Sequence, residues 1–284
     1  MLVRKNIRVI CPSSSFNKKD FKKIDEIKNK MQNKGFQVTF GENVFKSDND
    51  LKCASIDERV NDLHNAFLDK DVDIIMCGKG GFNVNQILPY IDFNIIKKNP
   101  KVICGFSDNT ALLIAIYMKC NLVTYLGPNY INLEDNKTLK YFIDCIYNDN
   151  YLPGKMNFLS SNKNLEGVIV GGNLCTINLL QGTEYLKYKR NVIIFLEDDD
   201  NYKKGAFYRE FIRNFDSLMQ SNVFEVRGLV FGKFQKSCNI TRRKLYKLIG
   251  QYEKLKNIPV VYDYEFGHNK TMRTIPIGEF LKKS

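Results

Sequence analysis

Along the first half of the chain, short continuous apolar runs alternate with stretches of helical spacing. Residues 7–11 form one such run, closed by Pro12 and by Ser13, Ser14 and Ser15. Over residues 16–34 the apolar positions Phe21, Ile24, Ile27 and Met31 recur at helical spacing, and Gly35 is placed to cap the C-terminus. Residues 36–40 predict a strand. Ser55 and Glu58 have capping-box spacing and open a helix reaching Leu68. Residues 72–77 are largely apolar, as in a strand covered on both faces. A glycine-rich turn follows, then a short helix to about Leu88. Residues 102–106 predict another buried strand and residues 108–119 another helix. Strands separated by helices of this length predict βαβ units and a mostly parallel sheet.

Residues 148–164 break the rhythm with Asn, Ser, Pro and Gly and read as a linker. The expected organisation is a first domain over 1–147, the linker, and a second domain over 165–284. In the latter, residues 165–170 predict a strand, Gly171 and Gly172 a turn, and residues 175–180 a short helix. Buried strands are expected at 192–196 and 226–231 with a long helix between them. A helix over 241–255 and a strand at 260–262 follow.

The composition, 44% hydrophobic and 26% charged over 284 residues, is that of a globular protein. The net charge of +12 comes from lysines spread along the whole chain. That distribution suits a solvated basic surface, and no nucleic-acid partner is expected. The cysteines stand singly at 11, 53, 77, 104, 120, 145, 175 and 238. Without a C-x-x-C pair, zinc and thioredoxin-like readings lose their support, and unpaired thiols imply a reducing compartment. Neither a signal-peptide core nor a membrane-length apolar stretch is evident, so the expectation is a cytoplasmic protein with no membrane partner.

Candidate chemistry starts from the two histidines. His64 lies mid-helix and suits a structural role. His268 sits in a glycine-flanked loop after a strand and is the histidine to choose if a base is needed. Ser107, in Gly105-Phe106-Ser107-Asp108-Asn109, falls where a buried strand turns into a helix. That is the setting of a nucleophile elbow, although Asn109 stands where G-x-S-x-G has its last glycine and a plain helix N-cap fits the same residues. Gly78-Lys79-Gly80-Gly81 matches neither a P-loop nor a dinucleotide fingerprint. It suits either a tight turn or a close backbone approach to an oxyanion. Glu197, Asp198, Asp199 and Asp200 could hold Mg²⁺ or Ca²⁺, form a solvated loop, or orient a histidine through one carboxylate. Taken together, Ser107, Glu197 and His268 follow one of the recurring triad orders.

Several ordered motifs go further. The stretch Gly78-Lys-Gly-Gly-Phe-Asn-Val-Asn-Gln-Ile-Leu-Pro-Tyr-Ile-Asp, then Asn99-Pro-Lys-Val-Ile-Cys-Gly-Phe-Ser-Asp-Asn-Thr-Ala-Leu, then Leu126-Gly-Pro-Asn, resembles the LD-carboxypeptidase and microcin C immunity family of serine peptidases. Gly171-Gly-Asn-Leu, Phe195-Leu-Glu-Asp, Phe266-Gly-His and Ile275-Pro-Ile-Gly agree with it, so the resemblance covers nearly the whole chain.

The resemblance implies an α/β protein with a Rossmann-like, mostly parallel N-terminal domain and a smaller mixed α/β C-terminal domain. The active site would lie between them, in a homodimer. It implies Ser107 as nucleophile, His268 as general base and acid, and Glu197 as its partner. The backbone N–H groups of Gly81 and Asp108 would form the oxyanion hole, with Gly80 and Asn173 bordering a small peptide or peptide-nucleotide substrate. No metal or organic cofactor is implied. Lys79-Gly-Gly-Phe-Asn replaces the family's usual Arg-Gly-Gly-Tyr-Gly, and the Pro-Tyr…Asp-Arg segment of bacterial LD-carboxypeptidases is missing after Glu197. The second departure favours the microcin-immunity-like branch over release of D-alanine from muropeptides. A non-catalytic binding protein and a metal-dependent enzyme built on Glu197 to Asp200 are the rival readings.

Overall fold

The computed structural model describes residues 5–48, 50–147, 154–199 and 206–283. Residues 148–153 of the expected linker and the candidate ligand Asp200 lie outside them. The first half alternates β1 (Lys5–Ile10), α1 (Phe21–Asn33), β2 (Phe36–Phe40), α2 (Ile56–Leu68), β3 (Ile74–Cys77), α3 (Phe93–Lys98), β4 (Val102–Gly105), α4 (Thr110–Cys120), β5 (Thr124–Leu126) and α5 (Asn136–Tyr147). The second half contains β6 (Asn157–Phe158), β7 (Leu165–Asn173), α6 (Leu174–Asn178), β8 (Lys189–Glu197), α7 (Phe207–Gln220), β9 (Phe224–Gly232), α8 (Arg242–Ile249), β10 (Val260–Tyr264), β11 (Ile275–Ile277) and β12 (Phe280–Lys283).

Two six-stranded sheets result, ordered β11-β5-β4-β3-β1-β2 and β12-β7-β8-β9-β10-β6. Strands β5, β4, β3, β1 and β2 run parallel in the first, and β7, β8, β9 and β10 in the second. The antiparallel strands β11, β12 and β6 are confined to the edges. This is the α/β architecture expected of βαβ units, with both strand faces buried by helices.

The chain's end ties the sheets together. β11 pairs with β5 of the first sheet, and after Gly278 and Glu279 the chain enters the second sheet as β12 beside β7. Gly278 turns this corner at φ +100°, where an added Cβ would lie 2.6 Å from the Tyr117 ring. Pro276 is tolerated inside β11 because the strand is at an edge, where one side needs no backbone donor.

Several local expectations are met. Ser55 and Glu58 form the capping box of α2, each side chain accepting from the other's backbone N–H. Gly35 follows α1 at φ +87°. Others are corrected. The expected helix after the glycine turn is two 3₁₀ turns, Val84–Gln86 and Leu88–Tyr90, the second carrying Pro89. The helix expected over 241–255 stops at Ile249, where Gly250 interrupts it. Gly171 and Gly172 are not a turn: they continue β7 at φ +147° and +142°. An added Cβ at Gly171 would lie 1.9 Å from the Phe195 carbonyl oxygen, and one at Gly172 2.4 Å from the Thr110 side chain. The pair is there to let β8 on one side and α4 on the other come close.

α4 carries apolar residues all round, and every residue from Thr110 to Tyr117 is buried. Such a helix belongs inside a protein. It sits between the sheets, in a core that joins Ile103 and Leu126 of the first to Ile169, Ile194 and Leu229 of the second. Against the second sheet, α7 stacks Phe211 between Phe207 and Phe215, with ring centroids 6.1 and 6.3 Å apart. Phe211 is fully buried, so Phe211→Ala should destabilise the protein by about 3–5 kcal/mol. A urea titration against wild type measures this.

Candidate active site

The candidate residues follow the C-terminal ends of parallel strands in both sheets, where open α/β sheets place ligands. β4 ends at Gly105, Phe106 is extended, and Ser107 opens a 3₁₀ turn leading into α4. Ser107 has φ +63°, a left-handed conformation uncommon outside glycine. This strained strand-to-helix corner lifts the hydroxyl out of the sheet.

Asn109, at the position where the elbow pattern has glycine, is fully buried. Its amide donates to the Lys79 carbonyl at 2.9 Å and to Asn129 Oδ1 at 3.0 Å. Asn129 Oδ1 also accepts from the Phe106 N–H at 3.0 Å. Asn109 and Asn129 thus lock the corner to the glycine turn after β3. Both stand within the quoted motifs, yet nothing in one sequence marked them as structural amides.

The glycine turn packs directly on the serine. An added Cβ at Gly80 would lie 3.3 Å from Ser107 Oγ, and one at Gly81 only 2.2 Å from Ser14 Oγ. The Asp108 carboxylate accepts from the Ser13 hydroxyl at 2.5 Å and from the Val84 N–H at 3.0 Å. It therefore serves as a strut between the turns after β1, β3 and β4. Among the described residues, the backbone N–H groups of Gly81 and Asp108 donate to no protein acceptor.

Glu197 ends β8, and its side chain is 1% exposed. His268 follows β10 in the loop after Phe266, with Gly267 at φ +108° allowing the backbone to pass close to Glu197. The imidazole packs on Phe106, ring centroids 4.5 Å apart. Its Nδ1 lies 2.6 Å from Glu197 Oε2 and its Nε2 lies 3.1 Å from Ser107 Oγ. The structure thus joins Ser107, His268 and Glu197, residues 161 and 71 positions apart by pairs, into one hydrogen-bonded chain. Burial works against a charged imidazole. The Glu197 carboxylate outweighs it, by charge and hydrogen bond, with help from Asp199, so the His268 pKa is raised to about 9. Asp199 Oδ2 stands 3.9 Å from His268 Nε2.

The remaining expected residues lie around this centre, with Asn173 beside Glu197 in the register of β7 and β8. Asn173, at the end of β7, is buried and caps α6 by accepting from the Thr176 N–H at 3.0 Å. Its amide donates to Asp198 Oδ1 at 3.1 Å, so both of its polar atoms are committed within the protein. Glu197, at the end of β8, and Asp198, just beyond it, diverge: one reaches His268, the other Asn173. Among the described residues, no group of three or more His, Cys, Asp or Glu could hold a metal ion. His64, on α2, accepts from the Asp92 N–H at 3.0 Å. No helix among the described residues is long and apolar enough to cross a membrane.

Burial first, then repulsion from Glu197, pushes the Asp198 carboxyl up to about 8. The folded protein keeps a proton there that the unfolded chain releases near pH 4. The associated stability is complete below that pH and is lost as pH rises through the folded value. Asp198→Asn cannot ionise. It should match the wild-type melting temperature near pH 4 and exceed it by a growing margin up to about pH 9. A constant difference across that range would contradict the buried proton.

Comparison with known proteins agrees with this layout. Residues 7–127 match the LD-carboxypeptidase N-terminal domain, and residues 166–282 match the LD-carboxypeptidase C-terminal domain. A carboxypeptidase-like protein of Treponema pallidum is 35% identical, over 97% of this chain and 88% of its own. The microcin C7 self-immunity protein MccF of Escherichia coli is 31% identical, over 87% of this chain and 81% of its own. The crystal structure of an MccF-like protein from Bacillus anthracis superposes with a TM-score of 0.91 at 33% identity, covering 99% of this chain and 93% of that one. With both family domains matched in order and relatives aligned along nearly the whole length, this chain belongs to the LD-carboxypeptidase family.

Proposed function

We propose that the chain is a serine hydrolase that cleaves an amide beside a free carboxylate, with Ser107, His268 and Glu197 as its catalytic triad. The observation that carries this reading is the continuous chain from Ser107 Oγ through both ring nitrogens of His268 to Glu197. In the reaction His268 Nε2 accepts the Ser107 proton as Oγ attacks the substrate carbonyl. Glu197 holds the imidazole in the tautomer with Nδ1 protonated and stabilises the imidazolium that forms. The Gly81 and Asp108 N–H groups donate to the developing oxyanion. His268 returns its proton to the leaving nitrogen, and water then releases the acyl group from Ser107 by the same route in reverse.

For the substrate we favour a peptidyl or aminoacyl nucleotide, the microcin-immunity-like reading. MccF, at 31% identity, is nearer to this chain than the murein tetrapeptide carboxypeptidase of Pseudomonas aeruginosa, at 26%. MccF itself has been crystallised with aspartyl sulfamoyl adenosine. A muropeptide tetrapeptide is the alternative substrate, supported by that second relative.

Mass spectrometry of products from an aminoacyl sulfamoyl adenosine and from a muropeptide tetrapeptide tests both parts of the reading. Wild type should cleave the first, and Ser107→Ala should lower turnover on the order of a million-fold. Equal cleavage by both proteins would remove Ser107 from the mechanism, and preferential cleavage of the tetrapeptide would reverse the substrate assignment. The pH dependence follows from His268. Its protonated form cannot accept the serine proton, so kcat/KM falls as pH drops through its pKa. Because Glu197 raises that pKa, the acid limb should lie above the 6.5 of an ordinary histidine. Glu197→Gln should move the limb to lower pH while reducing kcat; a limb that stays in place would exclude Glu197 as the cause.

A further inference from the structure

Arg59 is a charged side chain in an unusual setting. It lies in the first turn of α2, where the helix dipole disfavours a cation, and the residue is only 2% exposed. Its guanidinium is satisfied by neutral acceptors. Nε donates to the Ala54 carbonyl at 3.0 Å and weakly to that of Ser55 at 3.4 Å. Nη1 donates at 2.9 Å to each of two carbonyls, Pro12 and Asn83, and Nη2 donates to Gln86 Oε1 at 2.7 Å. Burying a charge against uncharged partners is unfavourable unless something else requires it.

The acceptors show what that requirement is. Pro12 precedes Ser13 and Ser14, the hydroxyls against which Gly81 packs with no room for a side chain. Asn83 follows Gly81 by two residues, and its own amide is anchored to the Leu51 carbonyl at 2.9 Å. One nitrogen of Arg59 therefore ties the segment carrying Gly81 to the segment it packs on. The Asp108 carboxylate holds the same two segments through Ser13 and Val84. A guanidinium and a carboxylate thus brace the glycine turn at separate points, and the carboxylate belongs to the residue after Ser107.

We propose that Arg59 is a positioning residue that fixes the Gly81 N–H relative to Ser107, setting the geometry in which the oxyanion is stabilised. The inference rests on the serine-hydrolase reading above. The planar fork is what the site uses: only a guanidinium spans two carbonyls with one nitrogen while reaching two further acceptors with the others. Arg59 itself touches neither Ser107 nor His268, so its effect falls on the rate of the serine's reaction and not on substrate affinity.

A fluorophosphonate reports on this directly and needs no knowledge of the natural substrate. Ser107 Oγ forms a bond to phosphorus, fluoride leaves, and the serine proton passes to His268. Intact-mass spectrometry follows labelling of wild type, Arg59→Lys, Arg59→Met and Ser107→Ala, with melting temperatures measured in parallel. A misplacement of about 1 Å in such a site lowers rates on the order of a hundredfold, and this is the loss expected in the limiting labelling rate of Arg59→Met. The half-saturating probe concentration should be nearly unchanged. Arg59→Lys keeps the charge but not the fork and should lose about tenfold at a near-native melting temperature. Wild-type labelling rates in both folded variants would overturn the proposal, as would a loss confined to half-saturation. Failure of both variants to fold would assign Arg59 to stability alone and overturn it too. Ser107→Ala separates the two readings: if that variant labels like wild type, the serine mechanism itself falls, whereas an inert Ser107→Ala beside a fully active Arg59→Met sinks only the role of Arg59.

Discussion

From Thr110 to Tyr117 α4 has no face in water, and the geometry of the site depends on that. Residues Thr110 to Tyr117 are buried in succession, so the helix is gripped by the first sheet and by the second. Its start is fixed where Gly172 of β7 lets Thr110 approach and the Asn173 N–H donates to Thr110 Oγ1 at 3.1 Å. A helix held on every side cannot drift, and Ser107 stands at its entrance. The left-handed backbone at Ser107 would relax in a looser setting. Here the packing of α4 and the amides of Asn109 and Asn129 over-determine it.

The same packing brings the two sheets' strand ends together. Glu197 and the loop of His268 come from the second sheet, Ser107 and the glycine turn from the first. The return of β11 to β5, followed at once by β12 beside β7, gives the sheets a covalent stitch at the other end of α4 from Ser107. Distances of 2.6 and 3.1 Å across His268 therefore rest on the core and not on a flexible joint. Burial there disfavours an imidazolium, and a buried carboxylate favours it. The balance falls to the carboxylate because Glu197 is in direct hydrogen-bonding contact and shielded from water.

Around this centre lies a layer of buried polar groups whose partners are mostly backbone. Asn109, Asn129, Asp108 and Arg59 each hold a turn that follows a strand of the first sheet. Turns of this kind have few apolar contacts to fix them, so their shape must come from hydrogen bonds. Asn173 and Asp198 do comparable work at the end of the second sheet, with a carboxyl kept protonated by burial.

The alternation of strands and helices and the capping box of α2 were legible from local periodicity and spacing, and the ordered motifs pointed to the three residues that the fold brings within hydrogen-bond distance. The sequence misread Gly171 and Gly172, since glycine in a strand and glycine in a turn look alike until the neighbouring chain is seen. It missed β11 and β12, each too short for a periodic signal and formed only because an edge was waiting in each sheet. It gave no sign that the Asn173 amide would cap α6 and hold Asp198. Which polar side chains meet at Ser107 and His268 and which brace the turns around them is settled only in three dimensions. That choice depends on contacts between residues far apart in the chain, and hydrogen-bond partners of that kind leave no local trace in the order of amino acids.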